Sequence, residues 1–202
     1  MRRIICMILA VSMFLPLFFL YPQQGFGLEG VDTLISSAPL YHFAEQLPRA
    51  ESFVVEGGKD VLLGVWQRDR FVFSGLADYT QIKVSNNSYE GSFRKGIFFH
   101  PIQNAIRKLR FRNVVPGSKL VIYYGIDDAG TNFGEGAVSH LKIWLGRKEL
   151  KKIRILNEKG WKKEELDLGV ASFLKRKIVV TFEVTSDNIK ERRLSFDAEI
   201  YP

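Results

Sequence analysis

Two neighbouring carboxylates, Asp127 and Asp128, are the residues whose type and position point most directly to chemistry. They follow an apolar run at 120–126, and a glycine-rich stretch that contains Asn132 comes directly after them. Oxygen atoms in such a loop accept hydrogen bonds from sugar hydroxyls, and they coordinate Ca²⁺ together with backbone carbonyls. A strand-end turn, in which an aspartate caps backbone amides, is the competing interpretation. Because adjacent side chains of an extended chain point to opposite faces, a cooperating acid–base pair would need a bend here.

Three tryptophans offer flat apolar rings that stack on the C–H face of a pyranose, namely Trp66, Trp144 and Trp161. Trp144 is the strongest candidate, because residues 138–145 alternate strictly between apolar and other side chains. This alternation places His140, Lys142 and Trp144 on the face opposite the core, where they are candidates for ligand contact. The alternative is that a second layer, such as residues 28–50, covers the ring of Trp144.

The basic residues of the predicted strands are also expected to face outward: Arg107, Arg110, Arg112, Lys142, Lys152 and Arg154. A solvated basic face is the ordinary interpretation of such a pattern. If the strands are neighbours, however, Arg110, Arg112 and Lys142 become part of one cationic sheet face that suits carboxylated or phosphorylated glycans. The sequence does not establish which strands are neighbours, so both interpretations stay open here.

The sequence offers no recognisable catalytic set. His42, His100 and His140 are not at metal-ligand spacing from one another, and no Ser-His-Asp motif surrounds them. Cys6 is the only cysteine, and it lies in a segment that we expect to be removed, which excludes thiol catalysis and cysteine-ligated zinc. Glycosidase carboxylates need a defined separation that no motif here indicates. We therefore predict a protein that is not an enzyme and has no cofactor, although a structural calcium ion is compatible with the Asp127 loop.

The N-terminus has the pattern of a secretory signal peptide. Arg2 and Arg3 precede an uncharged apolar run at 4–20, and the small residues Gly25 and Gly27 mark a cleavage site. The alternative is an uncleaved membrane anchor, since the run approaches the ~20 residues of a membrane span. Export of a chain without disulfides predicts the periplasm or cell surface of a bacterium.

Net charge indicates what kind of partner this protein meets. The chain carries a formal charge of +7, and loss of the signal, with two arginines and no acids, leaves +5. A positive balance favours anionic partners. Because an exported protein rarely meets nucleic acid, acidic glycans and lipid head groups rank first, and no nucleic-acid role is expected.

Alternation with a period of two runs through most of the chain after residue 50, which predicts an all-β, antiparallel sandwich. Gly57 and Gly58 indicate a hairpin, and residues 86–88 indicate a polar turn. The predicted domains are a signal peptide at 1–27, a partly helical strap or spacer at 28–50, and a β-sandwich at 51–202. The predicted strands are residues 52–56, 61–66, 71–74, 80–85, 97–100, 109–115, 120–126, 138–145, 150–156, 178–184 and 194–201.

The order of several short motifs resembles the galactose-binding-like jelly rolls, particularly the carbohydrate-binding modules attached to glycosidases. The motifs, which span 96–202, are Gly96-Ile97-Phe98-Phe99-His100, Gly125-Ile126-Asp127-Asp128, residues 138–146, Leu166-Asp167-Leu168 and Phe196-Asp197-Ala198-Glu199. The resemblance implies a jelly-roll fold more firmly than it implies an activity, because the family includes many members whose ligand is not known.

The sequence therefore favours an exported, non-catalytic module that binds carbohydrate or another cell-envelope polymer, which its charge suggests is anionic. The alternative is a structural or assembly subunit that binds a protein partner, with residues 28–50 as the docking strap. An enzyme acting on polysaccharide is the least favoured class. Contact with a membrane is expected only through an uncleaved signal anchor.

Overall fold

Alternating side chains produce strands throughout the part of the chain that the computed structural model describes, which is residues 38–73, 80–126, 138–169, 176–186 and 193–202. We number the strands β1 to β14 in chain order. Their bounds are Tyr41–His42, Glu51–Glu56, Lys59–Leu62, Val65–Gln67, Arg70–Val72, Ile82–Tyr89, Ser92–Phe99, Ile106–Val114, Lys119–Ile126, Ser139–Leu145, Lys148–Ile155, Lys162–Asp167, Ile178–Ser186 and Leu194–Tyr201.

Two antiparallel sheets form the sandwich. Sheet A has the order β12-β9-β14-β7-β6-β5-β4, with β1 added beside β14, and sheet B has the order β11-β10-β13-β8-β2-β3. The chain alternates between the sheets from β7 to β10 and again from β11 to β14, which places sequence-distant strands side by side. The predicted all-β jelly-roll sandwich is confirmed, and among the described residues no helix is long and apolar enough to cross a bilayer.

The inward faces of the two sheets meet in one apolar core. Leu141 and Ile143 on β10 are fully buried, as the alternation predicts, and so is Phe182 on β13. The ring of Phe182 packs against that of Phe196 on β14, with 4.6 Å between centroids, and so joins the two sheets. Burial of one such aromatic side chain contributes about 1.5–3 kcal/mol, so this layer is the main support of the fold.

Residues 38–50 are an integral part of the sandwich. Tyr41 of β1 pairs with Ile200 of β14, and a 3₁₀ turn, Leu47–Arg49, then leads to sheet B. Phe43 between them is fully buried and meets Phe111 edge to face, at 4.9 Å between centroids. The rest of the predicted strap, residues 28–37, lies outside the described residues.

The predicted turn at residues 86–88 is wrong. Asn86, Asn87 and Ser88 continue strand β6, and the chain reverses at Glu90 and Gly91 instead. Both of these residues have positive φ, 50° and 77°, which is the geometry that a two-residue hairpin turn requires. The sequence misled because consecutive asparagines are typical of turns, whereas glutamate at a positive φ is uncommon.

The predicted single strand at 61–66 is also wrong, because the chain leaves sheet B after Leu62 and enters sheet A at Val65. Gly64, with φ of 75°, makes this crossing. A Cβ atom at Gly64 would lie 2.3 Å from Cδ1 of Phe73, so the close approach also requires glycine.

Arg107 does not face outward as expected. It shares the inward face of β8 with Leu109 and Phe111, and its side chain is fully buried. Its Nη1 atom donates to the carbonyl oxygen of His100 at 2.6 Å, and its guanidinium lies 4.6 Å from the ring centroid of Phe73. Burial lowers the pKa of Arg107 to about 9. The outward basic residues of this strand occupy even positions, whereas Arg107 occupies an odd position, like the buried Leu109 and Phe111, so our prediction for it was wrong.

Candidate functional site

The outer face of sheet B brings together the candidate side chains of β8 and β10, with β13 between them. Glu183 on β13 is opposite Lys142 of β10 on one side and opposite Lys108 of β8 on the other. In the next row Trp144 is opposite Thr181, which is opposite Arg110. The structure thus supplies the adjacency that the sequence left open. We call this surface the sheet B face; its residues are Lys108, Arg110, Arg112, His140, Lys142, Trp144, Lys152, Arg154, Thr181 and Glu183.

Trp144 lies on this face, partly exposed and apart from the buried core. Of the proposed covering layer, residues 40–43 hydrogen-bond to β14 of sheet A, and residues 28–37 lie outside the described residues. The Nε1 atom of Trp144 is buried and has no hydrogen-bond partner among the described residues. Lys142 Nζ is 5.9 Å from the ring centroid. An apolar ring with a cation beside it is an arrangement that binds sugars through both stacking and hydrogen bonds.

The half of the sheet B face on β8 is held by ion pairs. Asp60 accepts hydrogen bonds from Lys108, at 2.9 Å, and from Arg110, while Arg112 donates to Glu51 at 3.0 Å. Burial raises the pKa of Asp60 and the hydrogen bonds from its two cations lower it, with a net pKa below its usual value. Arg110 and Arg112 are therefore already partnered, and a ligand would have to compete for them.

The basic side chains on β10 and β11, which form the other half of the face, are more available to a ligand than those on β8. Lys152 is opposite Lys142 and Arg154 is opposite His140 in register. Lys142 is 3.2 Å from Glu183, but neither Lys152 nor Arg154 forms an ion pair with any carboxylate of the described residues. Four basic or titratable side chains beside Trp144 thus form a region of positive potential.

Arg154 also lines a cavity of about 240 Å³ at the edge of the sandwich. Tyr124 and Gly125 of β9 also line it, together with Glu158 and Lys162. Burial raises the pKa of Tyr124, and the negative charges of Glu164 and Glu158 add to that effect.

The other predicted positions are placed as follows. Asp127, Asp128 and Asn132, together with the suggested calcium loop, lie outside the described residues. His100 is buried, and its Nδ1 atom lies 2.7 Å from the carbonyl oxygen of Pro101, as expected for a structural residue. Trp161 packs on Tyr89 of sheet A, at 4.4 Å between centroids, instead of on the sheet B face.

A polar cluster on the outer side of sheet A was missed by the sequence. The Nε2 atom of His42 is 2.8 Å from Asp197 Oδ1, and Arg94 donates to Asp197 Oδ2, also at 2.8 Å. The hydrogen bond to Asp197 raises the pKa of His42. Alternation places Asp197 and Glu199 on one face of β14, but His42 is 155 positions away and no sequence signal joins it to them.

Comparison with known proteins finds similarity only among solved structures. No protein-family model matches the chain, and no curated protein matches it either. One similar structure contains the CBM51-2 and INT domains of Clostridium perfringens ZmpB, with 10% identity over 57% of this chain and a TM-score of 0.40. The match covers 25% of that structure.

Two further structures show the same kind of likeness. CBM51 from Clostridium perfringens GH95, in complex with methyl-galactose, is 14% identical over 57% of this chain and 79% of its own, with a TM-score of 0.40. The K1 cleaved adhesin domain of Porphyromonas gingivalis Lys-gingipain is 13% identical over 60% of this chain and 84% of its own, with a TM-score of 0.38.

Proposed function

We propose that this protein is a non-catalytic carbohydrate-binding module whose binding surface is the sheet B face around Trp144. The observation that carries the proposal is the partly exposed indole ring on the outer side of β10, with Lys142 beside it. A sugar ring stacked there would bury apolar C–H groups, and Thr181 in the neighbouring strand would offer a hydroxyl. The Nε1 atom of Trp144, which has no hydrogen-bond partner within the described part of the chain, would supply a further donor after a change of the ring's orientation.

The preferred carbohydrate in this proposal is anionic. Lys152 and Arg154 have no carboxylate partner among the described residues and lie beside His140 and Lys142. A guanidinium binds a carboxylate through paired hydrogen bonds, which gives direction as well as charge. Uronic-acid polymers of a cell envelope have this chemistry, and export to the periplasm or cell surface would bring the protein to them.

A calorimetric titration of the protein with oligogalacturonate tests the binding surface. Trp144→Ala should abolish detectable binding, because in the proposed complex the sugar ring stacks on this indole ring. Trp161→Ala is the matched control, since this tryptophan lies on sheet A, and it should bind like the wild type. Equal binding by wild type and Trp144→Ala, with both variants folded by circular dichroism, would overturn the proposed surface.

A second candidate is binding of a protein partner, which an apolar edge favours. Val61 and Leu62 on β3 are exposed, and so are Val65 on β4 and Val72 on β5. Strands β3 and β4 end sheets B and A, so their outer backbone groups suit the addition of another strand. Cross-linking followed by mass spectrometry tests this role: Leu62→Lys should remove a partner that pairs with β3 and leave glycan binding unchanged.

A further inference from the structure

The outer side of sheet A brings together three side chains of the types that coordinate metal ions, and the sheet B face does not use them. His42 comes from β1, and Asp197 and Glu199 come from β14, the strand beside it. The Nε2 atom of His42 lies 2.8 Å from Asp197 Oδ1 and 3.9 Å from Glu199 Oε1. The three ligand atoms all lie within 4.8 Å of one another. One ion with bonds of about 2.0–2.2 Å reaches all three after small side-chain shifts.

Contacts from outside the cluster hold the remaining atom of each ligand. The imidazole Nδ1 atom lies 3.4 Å from Glu45 Oε1, and Arg94 donates to the Oδ2 atom of Asp197. Tyr201 donates its hydroxyl to the Oε2 atom of Glu199 at 2.7 Å. Outer contacts of this kind orient metal ligands and fix the imidazole tautomer, leaving the inner atoms for the ion.

The charges around the cluster are unbalanced in the direction that favours a cation. Glu45, Asp197 and Glu199 supply three carboxylates, while Arg94 supplies one guanidinium close enough for an ion pair. With a neutral imidazole, the ion pairs of the described residues leave two negative charges uncompensated, and a divalent ion would balance them. Asp197 is only 2% exposed, so water screens its charge poorly.

We propose that His42, Asp197 and Glu199 form a binding site for a divalent transition-metal ion, with Zn²⁺ the best match. An imidazole nitrogen with two carboxylate oxygens suits Zn²⁺, whereas Ca²⁺ takes oxygen ligands. The ion joins the two-residue strand β1 to β14, next to the buried Phe43. Its role is structural: it fastens residues 38–50 to strand β14 of sheet A.

Titration of the chelator-treated full chain with ZnCl₂ by calorimetry tests this site. We expect one saturable site and a higher melting temperature with Zn²⁺, and neither with CaCl₂ at the same concentration. His42→Ala and Glu199→Gln should each weaken Zn²⁺ binding at least about tenfold, the scale on which altered metal sites lose affinity. His140→Ala is the matched control, because His140 lies on sheet B, and its binding should equal that of the wild type.

Glu199→Gln keeps the contact between His42 and Asp197 intact, so its result stands even if His42→Ala fails to fold. Absence of saturable Zn²⁺ binding by the wild type would overturn the proposal. Unchanged affinity in Glu199→Gln and in folded His42→Ala would also overturn it, since the zinc would then bind elsewhere. Neither result bears on glycan binding, which uses the opposite sheet.

Discussion

Glu183 lies between Lys142 and Lys108 on the sheet B face, 3.2 Å from the Nζ atom of Lys142 and 3.9 Å from that of Lys108. The carboxylate is 4% exposed and sits on the central strand β13, so it fixes the two lysines of the flanking strands. This contact joins the half of the face that is closed by ion pairs to the half that carries Trp144. The arrangement of the candidate site therefore depends on a carboxylate that does not itself have to touch ligand.

Removal of this carboxylate should destabilise the fold. Glu183→Gln leaves Lys108 and Lys142 without their shared partner, and we expect a loss of about 1–3 kcal/mol in the free energy of unfolding. Glu165→Gln is the control, because Glu165 and its partners Lys119 and Lys163 are exposed, so water and salt screen these ion pairs. Urea denaturation at neutral pH measures both, and equal losses would contradict the central role of Glu183.

Preference for an anionic glycan should depend on the cations of β10 and β11. Arg154→Gln is expected to weaken binding of oligogalacturonate several-fold at low salt and to leave binding of a neutral galactan oligosaccharide unchanged. Raising the ionic strength should reduce the difference, because screening weakens exposed charges. Lys163→Gln on sheet A is the matched loss of charge. If both variants lose affinity equally, only net charge matters and the Arg154 contact is refuted.

Gly64 should tolerate substitution far less than Gly58, although both have positive φ, 75° and 78°. Gly58→Ala meets no atom within 4 Å, so we expect only the conformational cost of about 1 kcal/mol. Gly64→Ala also places its Cβ against the Phe73 ring, which adds about 1–3 kcal/mol. Denaturation of the two variants isolates the steric part, and equal stabilities would show that the crossing between sheets is looser than the structure indicates.

The strands were predictable where one face of the sheet is apolar. Leu194–Tyr201 matches its predicted bounds, because period-two alternation specifies both the strand and its buried face. The same rule placed His140, Lys142 and Trp144 on one face, which the structure confirms. Local pattern is enough for such positions, since a side chain's face depends only on its parity within the strand.

Adjacency and long-range pairing were not predictable. The neighbours β10, β13 and β8 are far apart in sequence, so no local signal shows that Lys142 and Lys108 share Glu183. The contact between His42 and Asp197 was unpredictable for the same reason, because the fold brings together two strands that are far apart in sequence. Arg107 is two residues from the apolar Leu109 and therefore on the same face of the strand, which indicates burial. We nevertheless predicted an outward position because the residue is charged.

Asp60 should make the stability of the β2–β3 hairpin depend on pH. Its folded-state pKa is lowered, so its contribution is fully present above the ordinary value near 3.8 and is lost as pH falls through the folded pKa. Asp60→Asn should lower the free energy of unfolding by about 0.5–1 kcal/mol at pH 7 and leave it unchanged at a pH below the folded-state pKa of Asp60. Urea denaturation from pH 7 downward measures the difference, and Glu56→Gln, on the same hairpin, serves as control. A difference that grows on acidification would have the wrong sign.

Replacing Arg107 with methionine should leave the protein at least as stable as the wild type. The guanidinium is fully buried, its Nε and Nη2 atoms have no hydrogen-bond partner among the described residues, and its surroundings are the rings of Phe73 and Phe99. An apolar side chain of similar length removes this desolvated charge and keeps the packing, so the exchange should be neutral or stabilising. Loss of the hydrogen bond to His100 O offsets part of the gain.

Arg107→Ala is the control for packing, because it removes the same charge but leaves a cavity, at a cost of about 2–5 kcal/mol for a large core side chain. Urea denaturation at neutral pH measures both variants against the wild type. If methionine destabilises as strongly as alanine, the prediction is wrong, and the guanidinium stabilises the fold through its hydrogen bond to His100 O and its contacts with the two rings. If methionine is neutral or stabilising while alanine is not, Arg107 contributes to the core through the packing of its side chain between two aromatic rings.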